Sequence, residues 1–494
     1  MRRPRTTIAV VGAGIAGLAA AWELTGGADG PGPDTPAVVL LEADARVGGK
    51  LAGIPVDGRT VDVGPDSFLG RRPEAYDLCV EVGLGDRLVP IGASGAAVWS
   101  RGAARPLPAG LFLGVPTRLA PVARSGILSA SGVARLAVDA VAPRPDRRGP
   151  LADRAIGPLV SRKLGHEVVD RLVEPLLGGI YAGTLADASA AAVLPALLGV
   201  AEGRSSLMRS LRRMEASSEL RSGGDAPAFW ALRGGLESLA ARLAERLHER
   251  RVEVRMSSAL RSLERTGDRW LLRGDGGEVA ADGVVLAVPA GAAADLLAPH
   301  DAEAAGPLRQ LEYASVAVVT LVYPAGALPD DLYGTGLLVP RGTPLPPPVA
   351  ASLGASEGDR AMVTACSYLW SKWPHLAAPD GSRLVRASVG RFGDDRFAAL
   401  DDDALVCRVA AELAGFLGVT AAARTWAVTR WQDALPQYRV HHLLRVGAAE
   451  AAAKRLGGMA VAGAAYRGVG IPACIATGRD AARDLMARLE SAVI

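Results

Sequence analysis

Residues 8–24, IAVVGAGIAGLAAAWEL, constrain this chain more than any other stretch. Ile8, Ala9, Val10 and Val11 form an apolar run that suits a buried parallel strand, and a helix-period run through Leu18, Ala21 and Trp22 follows at once. Between them Gly12, Gly14 and Gly17 read G-x-G-x-x-G. The first glycine allows a tight turn, the second lets a diphosphate approach the backbone, and the third lets helix and strand pack closely. A dinucleotide would rest its diphosphate on the helix N-terminus, among free N–H groups and the positive end of the dipole. Glu42 closes a second apolar run, Val38–Leu41, where a carboxylate accepts hydrogen bonds from ribose hydroxyls; the glycine- and proline-rich loop 26–36 explains the long spacing. An α/β, Rossmann-type nucleotide domain is expected.

The residues after Glu42 decide which dinucleotide. Arg46-Val47-Gly48-Gly49-Lys50 is followed by a hairpin about Asp57-Gly58 and then by Gly64-Pro65-Asp66-Ser67. This stretch resembles the R-x-G-G-[RK] segment of the flavoprotein family that includes amine oxidases, phytoene desaturases and protoporphyrinogen-type oxidases. The resemblance implies a segment that crosses the diphosphate and reaches a flavin, hence FAD.

Composition excludes several alternatives. At 494 residues the chain exceeds one ordinary core. A net charge of +3 from 55 basic and 52 acidic residues carries no nucleic-acid signature. Cys79, Cys366, Cys407 and Cys474 lack the spacing of a zinc site or a disulfide framework. Tyr313–Pro329, the longest uncharged stretch after the glycine-rich start, is too short for a membrane span and is broken by Pro324. The basic start before an apolar run imitates a signal peptide, but the three glycines explain that run as a nucleotide turn. A cytoplasmic protein is the expectation, with peripheral membrane contact left open.

Five segments are expected: a first FAD-binding segment 1–98, a helical insertion 99–222, a second FAD-binding segment 223–300, an α+β substrate domain 301–425 and a third FAD-binding segment 426–494. The insertion contains one clear helix, Leu159–Leu176, with Val160, Leu164, Val168, Leu172 and Leu176 at i+4 spacing. Ser222–Asp225 reads as a linker. At the end, the strand Met459–Gly463 leads through Gly468-Val469-Gly470-Ile471-Pro472 into a helix over Cys474–Leu489. Pro472 suits a first helical turn, and a helix N-terminus there would stabilise negative charge on a reduced flavin pyrimidine.

With these pieces in place, the whole chain resembles the porphyrinogen oxidases of haem biosynthesis, especially the coproporphyrinogen III oxidase branch of Gram-positive bacteria. The strings that carry this are Gly64-Pro65-Asp66-Ser67-Phe68-Leu69, residues 174–183 (EPLLGGIYAG), Lys372-Trp373-Pro374-His375, Thr429-Arg430-Trp431 with Pro436-Gln437-Tyr438, and Gly468–Pro472. The resemblance implies non-covalent FAD held by Gly12, Ala13, Gly14, Ile15, Ala16 and Gly17. Around the ribose and diphosphate it implies Glu42, Ala43, Arg46, Gly49 and Lys50; along the flavin, Gly64, Pro65, Asp66, Ser67 and Trp431. Gly463, Val469, Gly470 and Ile471 would meet the flavin ring, and Leu260, with Val254 as the alternative, the adenine. A tetrapyrrole slot would be lined by Gly178, Gly179, Ile180, Tyr181, Leu338 and Trp373. Cations for propionates are sought at Arg71, Arg72, Arg101 and Lys372. The implied reaction is a six-electron oxidation of coproporphyrinogen III, with oxygen reduced to hydrogen peroxide. It requires neither a metal nor a catalytic base: His441-His442 reads as a solvated pair, and no catalytic residue is assigned. Transient contact with a ferrochelatase is the remaining implied partnership.

Three rivals stay open. Protoporphyrinogen IX is the alternative substrate. An amine oxidase shares the FAD parts but typically has a Gly-Glu pair where this chain has Gly463-Ala464. A non-catalytic carrier on the same fold would have lost Glu42, Lys50 and the C-terminal turn, which are intact here.

Overall fold

The computed structural model describes residues 5–141, 153–201, 205–216, 227–356 and 358–491, so the expected linker Ser222–Asp225 lies outside the described residues. The apolar runs become the strands of one parallel sheet. In chain order its elements are β1 (Thr7–Val11), α1 (Ile15–Leu24), β2 (Ala37–Leu41), β3 (Glu253–Arg255), β4 (Gly283–Leu286), β5 (Met459–Val461) and α2 (Ile471–Ser491). The strand order is β3-β2-β1-β4-β5, every pair parallel. β1 is apolar throughout because both its faces are covered. Ile8 and Val10 pack against α1 and α2, while Ala9 and Val11 pack against the core on the opposite face. The fold is the expected α/β class, with its nucleotide domain assembled from three separated stretches of chain.

A second, seven-stranded sheet runs in the order Thr425–Pro436, Tyr313–Tyr323, Arg383–Val389, Val363–Tyr368, Gly336–Leu338, Ala97–Ser100, Ala103–Pro106. Two expected boundaries move as a result. Thr425–Pro436 pairs with Tyr313–Tyr323 rather than opening the third FAD segment, and the hairpin 97–106 is this sheet's edge. Conversely, the helix Ala302–Arg309 leaves the substrate domain and buries Ala304, Ala305 and Leu308 in the core on the β4 side of the nucleotide sheet. Alternation along a strand shows which residues are buried but not which distant strand it joins.

The helical insertion packs on the edge of the second sheet, with Leu136, Val160, Leu164 and Leu172 fully buried against Val98. The expected helix over Leu159–Leu176 is broken. It stops at Leu164, where Gly165 takes φ +99°, and resumes as a π-helix over Val169–Gly178. Pro175 sits in that π-helix; with no N–H to donate and a ring that crowds the preceding turn, it fits the wider winding better than an α-turn.

Candidate cofactor crevice and substrate slot

The turn after β1 is compressed on one side and open on the other. A Cβ on Gly12, whose φ is +97°, would stand 2.6 Å from the Ala287 carbonyl oxygen, and one on Gly17 would stand 1.8 Å from the Gly12 oxygen. A Cβ on Gly14 meets nothing within 4 Å. Space is therefore kept above the N-terminus of α1, where free N–H groups point. Gly48 donates to the Ala13 carbonyl at 2.8 Å, which lays residues 46–50 along this crevice. Arg46 turns back and donates to the carbonyls of Gly49 and Leu51 at 2.5 and 3.2 Å, so it shapes the loop. Glu42 is buried; its carboxylate accepts from the N–H groups of Ala13 at 2.6 Å and Asp44 at 2.9 Å, and Ala43 is exposed beside it.

Next to Glu42 runs the end of β3: Glu42 donates to the Arg255 carbonyl and accepts at its own carbonyl from Ser258. Leu260 instead begins the strand Leu260–Thr266 in another sheet and packs on the β4-side core. The stretch around Val254 is thus the one beside Glu42.

α2 reaches the far end of the crevice. It lies parallel to α1, since a Cβ on Gly478 would be 2.1 Å from the Ala16 oxygen and Arg483 pairs with Glu23 at 2.7 Å. Ile471 lies seven residues before Gly478, about 10 Å further along at the α-helical rise. Two helix N-termini thus address one groove at staggered positions, as an extended dinucleotide requires. α2 begins three residues earlier than expected, placing Pro472 in its first turn. Lys50 lines the groove with an accessible side chain; surrounding protein holds its pKa below the usual lysine range. Cys474 is buried beside it, which pushes its thiol up to about 12. Gly463 donates to Thr477 Oγ1 at 3.1 Å, and a Cβ on Gly470 would meet only the Pro472 ring, at 3.8 Å.

Between these ends, Gly64 packs on the Lys50 carbonyl, 1.9 Å from where its Cβ would stand, and Trp431 Nε1 donates to the Val63 carbonyl at 2.8 Å. Pro65 is exposed, and Ser67 donates to Asp66. Asp66 itself is enclosed. It accepts from Lys372 Nζ at 2.8 and 2.9 Å and from Trp373 Nε1 at 3.2 Å, with Arg386 at 3.5 Å. Burial pushes its carboxyl up, but Arg386 and Lys372 outweigh that and hold it well below the usual carboxylate range. This network bears on two expectations: Lys372 is paired with Asp66, which it shares with Arg386, and Trp373, 2% exposed, packs in a core cluster with Leu369 and Leu384. Its neighbour Asp62 accepts from the Leu236 N–H at 2.8 Å, and burial pushes its carboxyl up to about 7.

The other slot residues come together around the end of the π-helix. Gly179 faces open space, Ile180 is 51% exposed, and Gly178 is closed in by Glu174 and the Gly183 carbonyl. The Tyr181 ring lies 5.5 Å from that of Tyr438, and its carbonyl accepts from Gln437 Nε2 at 2.8 Å. The Tyr438 hydroxyl donates to the Ala464 carbonyl and accepts from the Gly468 N–H, so this wall is tied to the turn before α2. Leu338 packs against the helical insertion. Arg71 is exposed, whereas Arg72 is paired with Glu74. Arg101 donates through Nη1 to the Gly126 and Leu128 carbonyls within the helical insertion. The histidine expectation is also corrected: His442 is fully buried, stacked 3.8 Å from Tyr438 and bonded to the Tyr466 carbonyl. His441 takes φ +70°, which turns the following helix inward. Tyr438 and Arg386 were not singled out from sequence; Tyr438 lay in a recognised string, but nothing local marked the bonds it makes.

The geometry defines a class: a Rossmann dinucleotide fold whose glycine-built crevice is tied to the wall around Gly179 and Tyr181. The model of the flavin containing amine oxidoreductase family matches residues 15–486. Coproporphyrinogen III oxidase of Bacillus subtilis is 32% identical over 98% of both chains, and that of Propionibacterium freudenreichii 34% identical over 97% of this chain and 90% of that one. A crystal structure of a protoporphyrinogen oxidase from Exiguobacterium superposes with a TM-score of 0.84 at 32% identity, over 98% of this chain and 99% of that one. Putrescine oxidase, at 17% identity and TM-score 0.65 over 98% and 100%, shows the fold alone. The chain belongs to the flavin containing amine oxidoreductases and, within them, to the coproporphyrinogen III oxidase family; its cofactor is FAD. Among the described residues no helix is long and apolar enough to cross a membrane.

Proposed function

We infer that this protein oxidises coproporphyrinogen III to coproporphyrin III in haem biosynthesis, with three molecules of oxygen taking six electrons and leaving as hydrogen peroxide. The observation that carries this is the junction of the open Gly179–Tyr181 wall with the turn before α2, through the Tyr438 hydroxyl. Bound FAD supplies a hydride acceptor for a meso carbon. The chain's own residues position a flat, apolar ring: Gly179 leaves room for it, and Tyr181, backed by the buried Tyr438, gives it an aromatic edge. The pyrrole proton leaves to solvent. His442 is no candidate base, since burial pushes its pKa down to about 4 and its Nε2 is engaged by Tyr466.

FAD is held without a covalent bond in this reading. Cys474, the one cysteine near the flavin end, is buried with its thiol directed at the carbonyls of Gly468 and Val469. Acid precipitation should release all the flavin; colour kept in the pellet would contradict it. A cytoplasmic setting, with product passed to a ferrochelatase, fits the same reading. Comparing kcat/KM for coproporphyrinogen III and protoporphyrinogen IX at matched ionic strength tests the substrate. A clear preference for the latter would overturn it.

A further inference from the structure

Two arginines outside the expected rim stand where the slot wall crosses the end of the strand Gly336–Leu338. Arg341 Nε is 3.1 Å from Glu174 Oε1, and its Nη2 donates to the Phe392 and Gly183 carbonyls at 3.2 and 3.5 Å. Arg391 donates to the Val339 carbonyl at 3.3 Å, next to Leu338, and the adjacent Phe392 N–H donates to Ala182, next to Tyr181. The Arg341 guanidinium is therefore fixed to the Gly183 carbonyl and the Arg391 guanidinium to Val339, while the backbone beside Arg391 is tied to Ala182.

Their charges do not balance. Glu174 is paired with Arg341, and Asp394 is taken by Arg396 through two bonds of 2.7 and 2.9 Å. Among the described residues no carboxylate comes within ion-pair distance of Arg391. Burial, and then repulsion from Arg341, outweigh the attraction of Asp394 and Glu174 and push its pKa down to about 10. Its Nη2 donates to Val339, and the side chain is only partly buried. A planar guanidinium, partly desolvated and without a carboxylate in ion-pair contact, matches a carboxylate bidentately.

We propose that Arg391, supported by Arg341 across Glu174, is a carboxylate subsite at the slot edge that takes one propionate of the tetrapyrrole. This rests on the tetrapyrrole reading above. It shifts propionate recognition away from Lys372, whose ammonium is held by Asp66, and makes Arg391 a specificity-determining residue.

The test measures binding of coproporphyrin III and of its tetramethyl ester to the FAD-loaded protein by fluorescence, alongside kcat/KM for coproporphyrinogen III. Arg391→Gln should weaken the free acid about tenfold and leave the ester within twofold, and Arg391→Lys should restore part of the difference. KM should rise more than kcat falls, with flavin content unchanged. Equal loss for acid and ester, or no loss for either, would overturn the subsite. If the parent protein binds neither and oxidises no porphyrinogen, the tetrapyrrole reading itself has failed, a separate result. Arg341→Gln provides the second variant should Arg391→Gln not fold, with the same acid-selective loss expected.

Discussion

The cofactor crevice and the slot wall are built in opposite ways. The crevice is made of backbone: glycines pressed onto carbonyls, two helix N-termini and one buried carboxylate. The slot wall is made of side chains brought from distant segments: Tyr181 on Tyr438, Gln437 on the Tyr181 carbonyl, and Glu174 on Arg341. A backbone-built site tolerates no change at a few positions, whereas a side-chain site should yield by degrees. Substitutions at the two ends can separate these behaviours.

The largest effect is expected in the crevice. Gly17→Ala puts a methyl group 1.8 Å from the Gly12 oxygen and should prevent soluble expression, whereas Gly14→Val, whose Cβ meets nothing, should fold but purify colourless. Flavin content per chain and circular dichroism report both, and a yellow Gly14→Val protein would break the crevice half of the comparison. In the slot, Gly179→Leu fills open space and should cut kcat/KM at least about tenfold with flavin content normal. Unchanged turnover would remove Gly179 from the wall.

Behind that wall, Leu172 is fully buried and only supports it. Leu172→Ala should cost about 2–5 kcal/mol of stability in urea unfolding, with a smaller change in kcat/KM. Should activity fall while stability holds, Leu172 is part of the slot.

The smallest expected effect is at Asp62. Its carboxyl titrates near 7 in the folded chain and near 4 when unfolded, so the folded state holds the proton more tightly. Parent stability is then lost as pH rises from about 4 through 7. Asp62→Asn keeps an oxygen for the Leu236 N–H and does not titrate, so its stability relative to the parent should rise by roughly 2–3 kcal/mol between pH 5 and pH 8. A difference independent of pH would contradict the buried, protonated Asp62.

The same contrast explains what sequence revealed. Gly12, Gly14, Gly17 and Glu42 act through local geometry at fixed spacing, so the crevice was legible, as was Pro472 at the start of α2. Trp373 and Lys372 lay in a recognised string, yet Asp66, more than 300 positions away, decides what they do. His442 looked solvated because only the turn at His441 shows which way its ring points. Arg391 was invisible for another reason: in a chain with four lysines among 55 basic residues, one unpaired arginine stands out only once every other partner is placed.

The most direct measurement mixes the purified yellow protein with coproporphyrinogen III in the absence of oxygen. Flavin absorbance should bleach in one rapid phase, and admitting air should restore it while porphyrin fluorescence and hydrogen peroxide appear together. Flavin that stays oxidised with coproporphyrinogen III, yet bleaches with a primary amine, would contradict the porphyrinogen oxidase assignment.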